Sequence, residues 1–485
     1  MSRVLEAVAQ HAFDRPDNLA LSGDRLRLTW AELAKAIRDA MEWLGPRLES
    51  CDAGAPVAIA LDNGPAWVVL DLALIALGRP SLPLPPFFTA EQRRHALANS
   101  GACALVRPAH DGEGAATLIA AEPVFAERLP FPPRALHDGV AKITYTSGST
   151  GRPKGVCLSL AQIESVAASI VEVLGREMAQ VHMAVLPLGV LLENVAGLYP
   201  TLLAGGRYHA PGLATLGFGQ GSRPDIPRLC AAVADARATS LILVPEILRG
   251  ILGWLDGAGA RLPSLDFIAV GGAKTPPSLI VAARAAGLPV YEGYGLSECG
   301  SVVSLNRPHH DRPGSVGRLL PHLTLAVRAD GELVVGPRPF LGYVGEPAVD
   351  GPWGTGDLGA IDVDGFLSIS GRKSNLLITA FGRNVAPEWV ESELLAQPEI
   401  GQALVFGEGA RALCAVLVPA SASAGKAELD AAVQRTNAGL PDYARVSRWR
   451  ASRPFGTDPA EVTGNGRPRR DVLRAAHRDF IESEG

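Results

Sequence analysis

The sequence has few lysines and no paired cysteines. Only six of its 45 basic residues are lysine, and its six cysteines are scattered through 485 residues without a C-x-x-C pair. Scattered cysteines exclude a disulfide scaffold and a cysteine-ligated metal site, and they favour a reducing compartment such as the cytoplasm. The net charge of −5 is spread along the chain, which gives no signature of nucleic-acid binding.

Long apolar runs are also missing. No stretch approaches the roughly 18 uncharged apolar residues that a membrane-spanning helix needs, and the N-terminus carries acidic residues without an apolar core. The sequence therefore predicts neither a membrane span nor a signal peptide. With 47% hydrophobic and 20% charged residues, the composition is typical of a globular protein.

Strand-like and helix-like segments alternate along most of the chain. Thr29 and Glu32 have the spacing of a capping box, which predicts that a helix begins there. Short apolar runs followed by turns and helical patterns favour an α/β architecture with a largely parallel sheet. We interpret residues 107–139, which are rich in Ala, Gly and Pro, as an irregular connection, and residues 185–188 as the end of a strand.

Two regions depart from this α/β pattern. Residues 323–346 and 359–370 carry short alternating strands separated by turns, which indicates an antiparallel, barrel-like subdomain. Past Gly371 the charge density rises, and the pattern favours a smaller α+β domain. The predicted fold class is thus α/β, with stacked α/β sheets and the barrel-like subdomain in an N-terminal domain over 1–373, and a small mobile C-terminal domain over 374–485.

Residues 143–155 concentrate small and hydroxylated side chains. Three glycines in eight residues let the backbone turn tightly and approach a ligand, and Lys154 adds a charge suited to phosphate. A flexible Ser/Gly surface loop is the plainer interpretation, but apolar runs tether both ends, and the Walker A pattern does not fit. The predicted phosphate-binding residues are Thr146, Ser147, Gly148, Ser149, Thr150, Gly151 and Lys154.

Two further segments carry groups suited to a nucleotide. Tyr294 offers a flat face for a purine, Ser297 offers a hydroxyl, and Glu298 offers a carboxylate for Mg²⁺. Farther along, Asp357 lies in a Gly-rich turn where a carboxylate can hold ribose hydroxyls, and Arg372 suits ribose or phosphate. Taken singly, these residues are more often structural, as a buried tyrosine, a capping serine, a turn aspartate or a solvated cation.

The order of the motifs is more informative than any one of them. A Thr-Ser-Gly-Ser-Thr-Gly-x-Pro-Lys-Gly loop is followed by Tyr-Gly-x-Ser-Glu, Thr-Gly-Asp, Gly-Arg-Lys and a C-terminal Gly-Asn-Gly. Over essentially its whole length the chain resembles the acyl-adenylate-forming superfamily of acyl-CoA synthetases, peptide-synthetase adenylation domains and luciferases. Residues 186–193 and 371–388 are similar to segments of fatty-acyl ligases, so the fatty-acyl or aryl-CoA ligase branch is favoured.

The resemblance implies a two-step reaction, in which a carboxylate attacks the α-phosphate of ATP and a thiol then displaces AMP. It implies that the loop holds the β- and γ-phosphates, that Glu298 binds Mg²⁺, and that the small domain rotates about a hinge near Ser374. The residues implied to bind the nucleotide outside the loop are Tyr294, Gly295, Ser297, Asp357 and Arg372. The thiol would belong to CoA or to the phosphopantetheine of a carrier protein.

The resemblance also places the acid pocket among small and apolar segments. Apart from Glu193 and Glu246, no charged residue there obviously serves an amino-acid amine, so an apolar or aryl acid is favoured. The aromatic–His pair usual in the family is replaced here by Gly189 and Val190. The predicted pocket residues are Gly189, Val190, Glu193, Gly271, Gly272 and Cys299.

The C-terminal motif carries the main departure from the family. The lysine that contacts the substrate carboxylate during adenylation aligns with Arg467, so the implied catalytic residues are Lys154, Glu298 and Arg467. Arginine keeps the charge, but its planar head is not interchangeable with an ammonium group. The substitution either follows from the arginine bias of the whole chain or slows the adenylation step.

Three functions remain open at this point. The first is a cytoplasmic acid–thiol ligase that uses ATP, Mg²⁺ and CoA. The second is an adenylating enzyme that loads an acyl or aryl group onto a carrier protein supplied in trans. The third, motivated by Arg467, is a non-catalytic nucleotide-binding relative.

Overall fold

A computed structural model describes residues 2–110, 113, 116–146, 153–219, 224–380, 382–421, 424–462 and 468–483. Within these ranges no helix has the length and apolar character needed to cross a membrane. Some of the predicted site residues lie outside the described residues, namely Ser147, Gly148, Ser149, Thr150, Gly151 and Arg467.

The helices and strands follow one another along the whole chain. The helices are α1 (Arg3–Asp14), α2 (Trp30–Leu48), α3 (Pro65–Ala76), α4 (Ala90–Ser100), α5 (Leu160–Leu174), α6 (Leu191–Glu193), α7 (Tyr199–Ala204), α8 (Ile226–Ala236), α9 (Pro245–Ala258), α10 (Pro277–Ala285), α11 (Pro387–Leu395), α12 (Lys426–Gly439), α13 (Arg470–Ala476) and α14 (Arg478–Ile481). The strands are β1 (Leu19–Ser22), β2 (Arg27–Thr29), β3 (Val57–Ile59), β4 (Ser81–Pro83), β5 (Ala104–Pro108), β6 (Thr117–Ile119), β7 (Glu122–Arg128), β8 (Val140–Thr146), β9 (Lys154–Ser159), β10 (Val181–Met183), β11 (Arg207–His209), β12 (Ser240–Leu243), β13 (Phe267–Val270), β14 (Val290–Tyr294), β15 (Ser304–Leu305), β16 (Arg318–Leu319), β17 (Thr324–Val327), β18 (Glu332–Gly336), β19 (Gly342–Tyr343), β20 (Trp353–Ile361), β21 (Leu367–Arg372), β22 (Leu377–Ile378), β23 (Asn384–Val385), β24 (Ile400–Phe406), β25 (Leu413–Pro419) and β26 (Val446–Ala451).

Two large mixed sheets form the N-terminal part of the molecule. One has the strand order β16-β15-β14-β13-β12-β10-β11-β1-β2, and the other β19-β9-β8-β4-β3-β5-β7-β6. Both are parallel at their centres, through β12–β13–β14 and β5–β3–β4–β8. The principal core joins apolar side chains of both sheets to those of α2, α3, α5 and α7. The stacked α/β arrangement predicted from the sequence is therefore confirmed.

Two smaller sheets complete the fold. The antiparallel sheet β17-β18-β20-β21 occupies the region predicted to hold the barrel-like subdomain. The C-terminal part has the sheet β24-β25-β26, against which α11 and α12 bury a separate core that includes Val390, Leu417 and Leu429. In the sequence, the strands of this antiparallel sheet follow those of the two large sheets, except for β19, and precede those of the C-terminal part.

Local signals located some elements well. Thr29 caps α2: its hydroxyl accepts from the Glu32 N–H, and the Glu32 carboxylate accepts from the Thr29 N–H, as the capping box predicts. The prediction for residues 107–139 was wrong, because β6 and β7 lie there and β7 pairs with β5. Residues 185–188 are not the end of a strand either: their backbone is held by the Asn63 side chain, which bonds Leu186 and Leu188.

Candidate active site

A cleft of about 2300 Å³ opens at the carboxyl ends of β12, β13 and β14 and extends to the C-terminal part. In open α/β sheets this edge is the usual place for a ligand. Predicted site residues from distant segments line it together: Thr146, Lys154, Gly189, Val190, Gly271, Gly272, Tyr294, Gly295, Ser297, Glu298, Asp357 and Arg372.

The strands on either side of the predicted phosphate-binding residues pair with each other. β8 and β9 are antiparallel, and Thr146 lies directly opposite Lys154 at the end of the pair that residues 147–153 connect. The Lys154 ammonium is 2.9 Å from Glu346 Oε1 and lies 4.8 Å from the centre of the Tyr343 ring. Both lysine and glutamate are half-exposed, at 41% and 46%. A surface ion pair of this kind is weak, so Lys154 can readily exchange it for a phosphate.

Tyr343 connects this lysine to the predicted metal ligand. Its hydroxyl donates to Glu298 Oε1 at 2.8 Å, and burial together with the Glu298 charge raises the pKa of Tyr343 well above its usual range. The tyrosine therefore stays a donor at neutral pH. The second oxygen of Glu298 has no hydrogen bond from the described residues, which leaves a carboxylate oxygen of the type that Mg²⁺ prefers. Sequence reasoning missed Tyr343 and Glu346, which no motif marks.

The Tyr294 hydroxyl and the Arg372 guanidinium converge on Asp357. Tyr294 donates to Asp357 Oδ2 at 2.7 Å, and Arg372 Nε lies 3.1 Å from Asp357 Oδ1. Asp357 and Arg372 are paired across β20 and β21. Burial, reinforced by the nearby carboxylate, raises the pKa of Tyr294 far above neutrality. The Asp357 carboxylate is thus fixed at the cleft wall, with its two oxygens aligned by different partners.

Glu332, which sequence reasoning also missed, supports the turn that carries Asp357. Its carboxylate accepts from the Gly356 N–H and lies near Lys373. Burial acts to raise the pKa of Glu332, but Lys373, Arg328 and the Gly356 N–H together hold it below the usual range. Thr355 completes the turn because its hydroxyl accepts from the Asp357 N–H at 3.0 Å. The buried carboxylate of Glu332 therefore stabilises the turn that positions Asp357.

Two predicted pocket residues do not line the cleft. Glu193 is fully buried, and its carboxylate accepts from His182, Tyr208 and the Leu186 N–H. Cys299 is 2% exposed in a small apolar cluster, where burial raises the pKa of its thiol. Neither side chain reaches the cleft wall, because both are buried among other residues of the protein.

Comparison with known families decides the affiliation of the chain. A model of the AMP-binding enzyme family matches residues 8–355, and a model of the AMP-binding enzyme C-terminal domain matches residues 374–483. The chain belongs to the AMP-binding enzyme family. The predicted site residues from Thr146 to Glu298 lie within the first matched region, and Asp357 and Arg372 lie between the two regions.

Several known proteins resemble most or nearly all of the chain. It is 27% identical to the long-chain-fatty-acid–CoA ligase FadD15 of Mycobacterium bovis, over 99% of this chain and 96% of that protein. It is 28% identical to the 2-succinylbenzoate–CoA ligase of Bacillus velezensis, over 82% and 84%. The crystal structure of the anthranilate CoA ligase AuaEII in complex with anthranoyl-AMP has a TM-score of 0.83 at 18% identity, covering 99% and 98%. The last likeness establishes the fold, with a large N-terminal and a smaller C-terminal domain.

Several glycines of this AMP-binding enzyme stand where backbones meet closely. A Cβ on Gly189 would lie 3.0 Å from the backbone of Pro85, and one on Gly271 would lie 3.0 Å from the carbonyl oxygen of Gly293. A Cβ on Gly295 would collide with the Ser301 carbonyl. At position 189 a larger residue would therefore press against the backbone of residues 84–85, which would have to shift by a few tenths of an ångström.

Glu292, a carboxyl on the cleft wall of this AMP-binding enzyme, gives a pH-dependent prediction. Burial raises its pKa from 4.5 to about 7, although the Thr275 N–H and the Lys274 charge oppose the shift. Between these values the folded protein holds a proton that the unfolded chain releases, so stability falls as pH rises through about 4.5 to 7. Glu292→Gln should be more stable than the parent above pH 7, by up to about 3 kcal/mol.

The measurement is urea unfolding of the parent and of Glu292→Gln at several pH values. The difference in the free energy of unfolding between the two proteins should disappear below about pH 4.5, where Glu292 of the parent is protonated in the folded and the unfolded state. A difference in the free energy of unfolding that does not change with pH would contradict the raised pKa of Glu292, because only the titration of Glu292 distinguishes the two proteins.

Proposed function

We propose that this protein activates a carboxylic acid with ATP as an acyl-adenylate and then transfers the acyl group to the thiol of CoA. The observation that carries the proposal is the meeting of Lys154, Glu298, Asp357 and Arg372 in one cleft, although they come from separate segments of the chain. The relatives that match most of the chain are CoA ligases, which supports the same reaction. The substrates are thus a small-molecule acid, ATP and CoA, and the cytoplasm, where ATP and CoA are available, is the proposed location.

The cleft offers a group for each part of ATP. Lys154 and Thr146, with residues 147–152 between them, would bind the β- and γ-phosphates, and the Tyr294 ring would stack on adenine. Asp357, whose oxygens are already aligned, would hold the ribose together with Arg372. Positioning and charge neutralisation of this kind can carry adenylation without a side-chain nucleophile.

Magnesium fits the site through Glu298. Among the described residues no group of three or more His, Cys, Asp or Glu side chains is arranged to hold a metal ion. Mg²⁺ commonly binds through one or two carboxylates plus substrate phosphates, and the second Glu298 oxygen has no hydrogen bond from the described residues. When bound, the ion would neutralise phosphate charge, while Tyr343 would keep the carboxylate oriented.

The domain division completes the proposal. We place the N-terminal domain at 1–373 and the C-terminal domain at 374–485, with a hinge near Ser374. The short turn Lys373–Asn375 connects β21 to β22, and the region matched by the C-terminal family model begins within it, at residue 374. Residues that precede this turn in the sequence, such as Glu292, and residues that follow it, such as Arg470, both line the cleft. A rotation at Ser374 would change which C-terminal residues face the nucleotide.

The test is a panel of carboxylic acids with ATP, Mg²⁺ and CoA, in which AMP, pyrophosphate and acyl-CoA are measured. We expect all three products with an apolar or aryl acid. Pyrophosphate release without acyl-CoA, accompanied by loading of a carrier protein, would instead support the carrier-loading function. If no acid in a broad panel produced pyrophosphate exchange while ATP still bound, the protein would be a non-catalytic relative.

Arg467 provides a prediction within this function. Arg467→Lys restores the ammonium group usual in the family, so the rate of pyrophosphate exchange should be preserved or raised, whereas Arg467→Ala should lower it. Thioester formation from a preformed acyl-adenylate is the control and should change little in either variant. Loss of exchange in Arg467→Lys would show that Arg467 does not occupy the place of the family's lysine.

A further inference from the structure

The cleft has an inner branch between α5 and the sheet that carries β10, β12 and β13. Its walls are mainly apolar side chains from α5, from the π-helical turn Asn194–Leu198 and α7, and from the sheet: Ile170, Val171, Leu174, Ala196, Pro200, Ile242, Phe267 and Ala269. Ala269 remains only half-buried although β13 has neighbours on both sides. A small side chain in the middle of a sheet keeps this exposure because it faces open space.

The inner branch is not apolar throughout. His182 and Ser240, at the starts of β10 and β12, both line it and are each 5% exposed. Their side chains bond each other, with His182 Nδ1 and Ser240 Oγ 2.9 Å apart. A ligand with only an apolar chain would make no use of a polar pair at this depth. Burial of polar groups is unfavourable unless they have hydrogen-bond partners, and these two side chains are partners of each other.

Glu193 determines which group in this pair donates. Its Oε1 accepts from the Tyr208 hydroxyl at 2.9 Å and faces His182 Nε2 at 3.0 Å, so Nε2 carries a proton and donates to the carboxylate. In the neutral imidazole Nδ1 is then the acceptor, and the Ser240 hydroxyl donates to it. Ser240 Oγ therefore keeps its acceptor lone pairs, and Ser240 is one of the residues that line the cleft.

Gly197 leaves the space that this arrangement needs. A Cβ at that position would lie 2.5 Å from Glu193 Oε1 and 2.7 Å from His182 Nε2. Any larger residue would therefore displace the Glu193 carboxylate or the His182 ring. The glycine, the carboxylate and the histidine together hold Ser240 in one orientation, which is the property expected of a recognition group.

We propose that the acid accepted by this protein carries an apolar chain with a hydrogen-bond donor, most simply a hydroxyl, that bonds Ser240 Oγ. This inference rests on the proposed acid-activating function and names the substrate class of the same site. Val244 follows the carboxyl end of β12, where the cleft opens, and Ser240 lies four residues before it. Four residues of a strand span about 13 Å. The hydroxyl thus belongs well away from the carboxylate, toward the far end of a medium-length chain.

The experiment compares wild-type protein on decanoic acid and on a series of hydroxydecanoic acids in which the hydroxyl moves along the chain. The kcat/KM of acid-dependent pyrophosphate release should peak at one distal position, roughly tenfold above decanoic acid, as expected for one hydrogen bond. Ser240→Ala should remove this peak. Thr201→Val is the matched control, because Thr201 lines the same branch but its hydroxyl is already bonded to the Gly197 carbonyl, so the preference should persist.

The outcomes separate this inference from the proposed function. Equal kcat/KM along the whole wild-type series, or an unchanged peak in Ser240→Ala, would overturn the Ser240 assignment while leaving acid activation intact. If no acid were activated at all, the proposed function would fail, and the shift in Tm on binding each acid would still test Ser240. Equal shifts for decanoic and hydroxydecanoic acids would then overturn it, and a larger shift for one hydroxy acid would support it.

Discussion

Lys154→Ala is expected to lower kcat/KM for ATP in acid-dependent pyrophosphate release by about a hundred- to a thousandfold, because one charge-stabilising group at a transferring phosphate has effects of that size. The side chain is well placed for this role, since β9 begins at Lys154 and holds it opposite Thr146. Its present partner, Glu346, is half-exposed and easily replaced. Stability should change little, so the Tm of the variant verifies that the protein is still folded.

Glu346→Gln is the matched control for that substitution. It removes the other half of the same ion pair, but it leaves Lys154 and its contact with the Tyr343 ring in place. If Lys154 serves ATP, Glu346→Gln should keep kcat and leave KM for ATP unchanged or lower. Should the two variants lose activity equally, the ion pair itself would be what matters, and the phosphate role of Lys154 would be wrong.

The motifs could be located from the sequence because their signals are local. The capping box of Thr29 and Glu32 encloses one turn of helix, and the strand leading into the glycine loop is rich in β-branched and aromatic residues. Asp357 and Arg372 are separated by one hairpin, and the β20–β21 register aligns them. In each case the residues that interact are close along the chain, so their pattern alone predicts the structure.

The supporting residues could not be predicted in this way. Tyr343 reaches Glu298 because the two-residue strand β19 pairs with the far edge of β9, a contact between segments almost 190 residues apart. Glu332 reaches the Gly356 N–H through the pairing of β18 with β20. Glu193, on the short helix α6, is buried against His182 of β10 and Tyr208 of β11, a contact that the sequence pattern around Glu193 does not show. Long-range pairing of short segments leaves no periodic pattern in the sequence.

The second large effect is expected at a buried ion pair that links the hairpin to the acid pocket. Lys142 on β8 donates to Asp71 Oδ1 and to Asn194 Oδ1, each at 2.6 Å, and Tyr199 donates to Asp71 Oδ2 at the same distance. The side chains of Lys142 and Asp71 are 1% and 0% exposed. Asn194 begins the π-helical turn beside the inner branch, so the ion pair joins the phosphate-binding and acid-binding regions.

Asp71→Asn should lower the free energy of unfolding by about 3–5 kcal/mol, because it leaves the Lys142 charge buried without its counter-ion. Burial already lowers the pKa of Lys142, and loss of the Asp71 charge would lower it further. In the unfolded chain the lysine titrates at about pH 10.4, so below that pH the folded variant would bind fewer protons than the unfolded chain. The free energy of unfolding of the variant should therefore rise with pH in this range, more steeply than that of the parent.

Urea unfolding across pH measures this effect, and Lys142→Met in the Asp71→Asn background is the decisive comparison. With no ammonium to desolvate, the double variant should be more stable than Asp71→Asn alone and should lose the steep pH dependence. If the double variant were less stable than the single one, Asn194 and Tyr199 would be sufficient partners for the Lys142 charge. Asp71 would then serve the fold through its hydrogen bonds rather than through its charge.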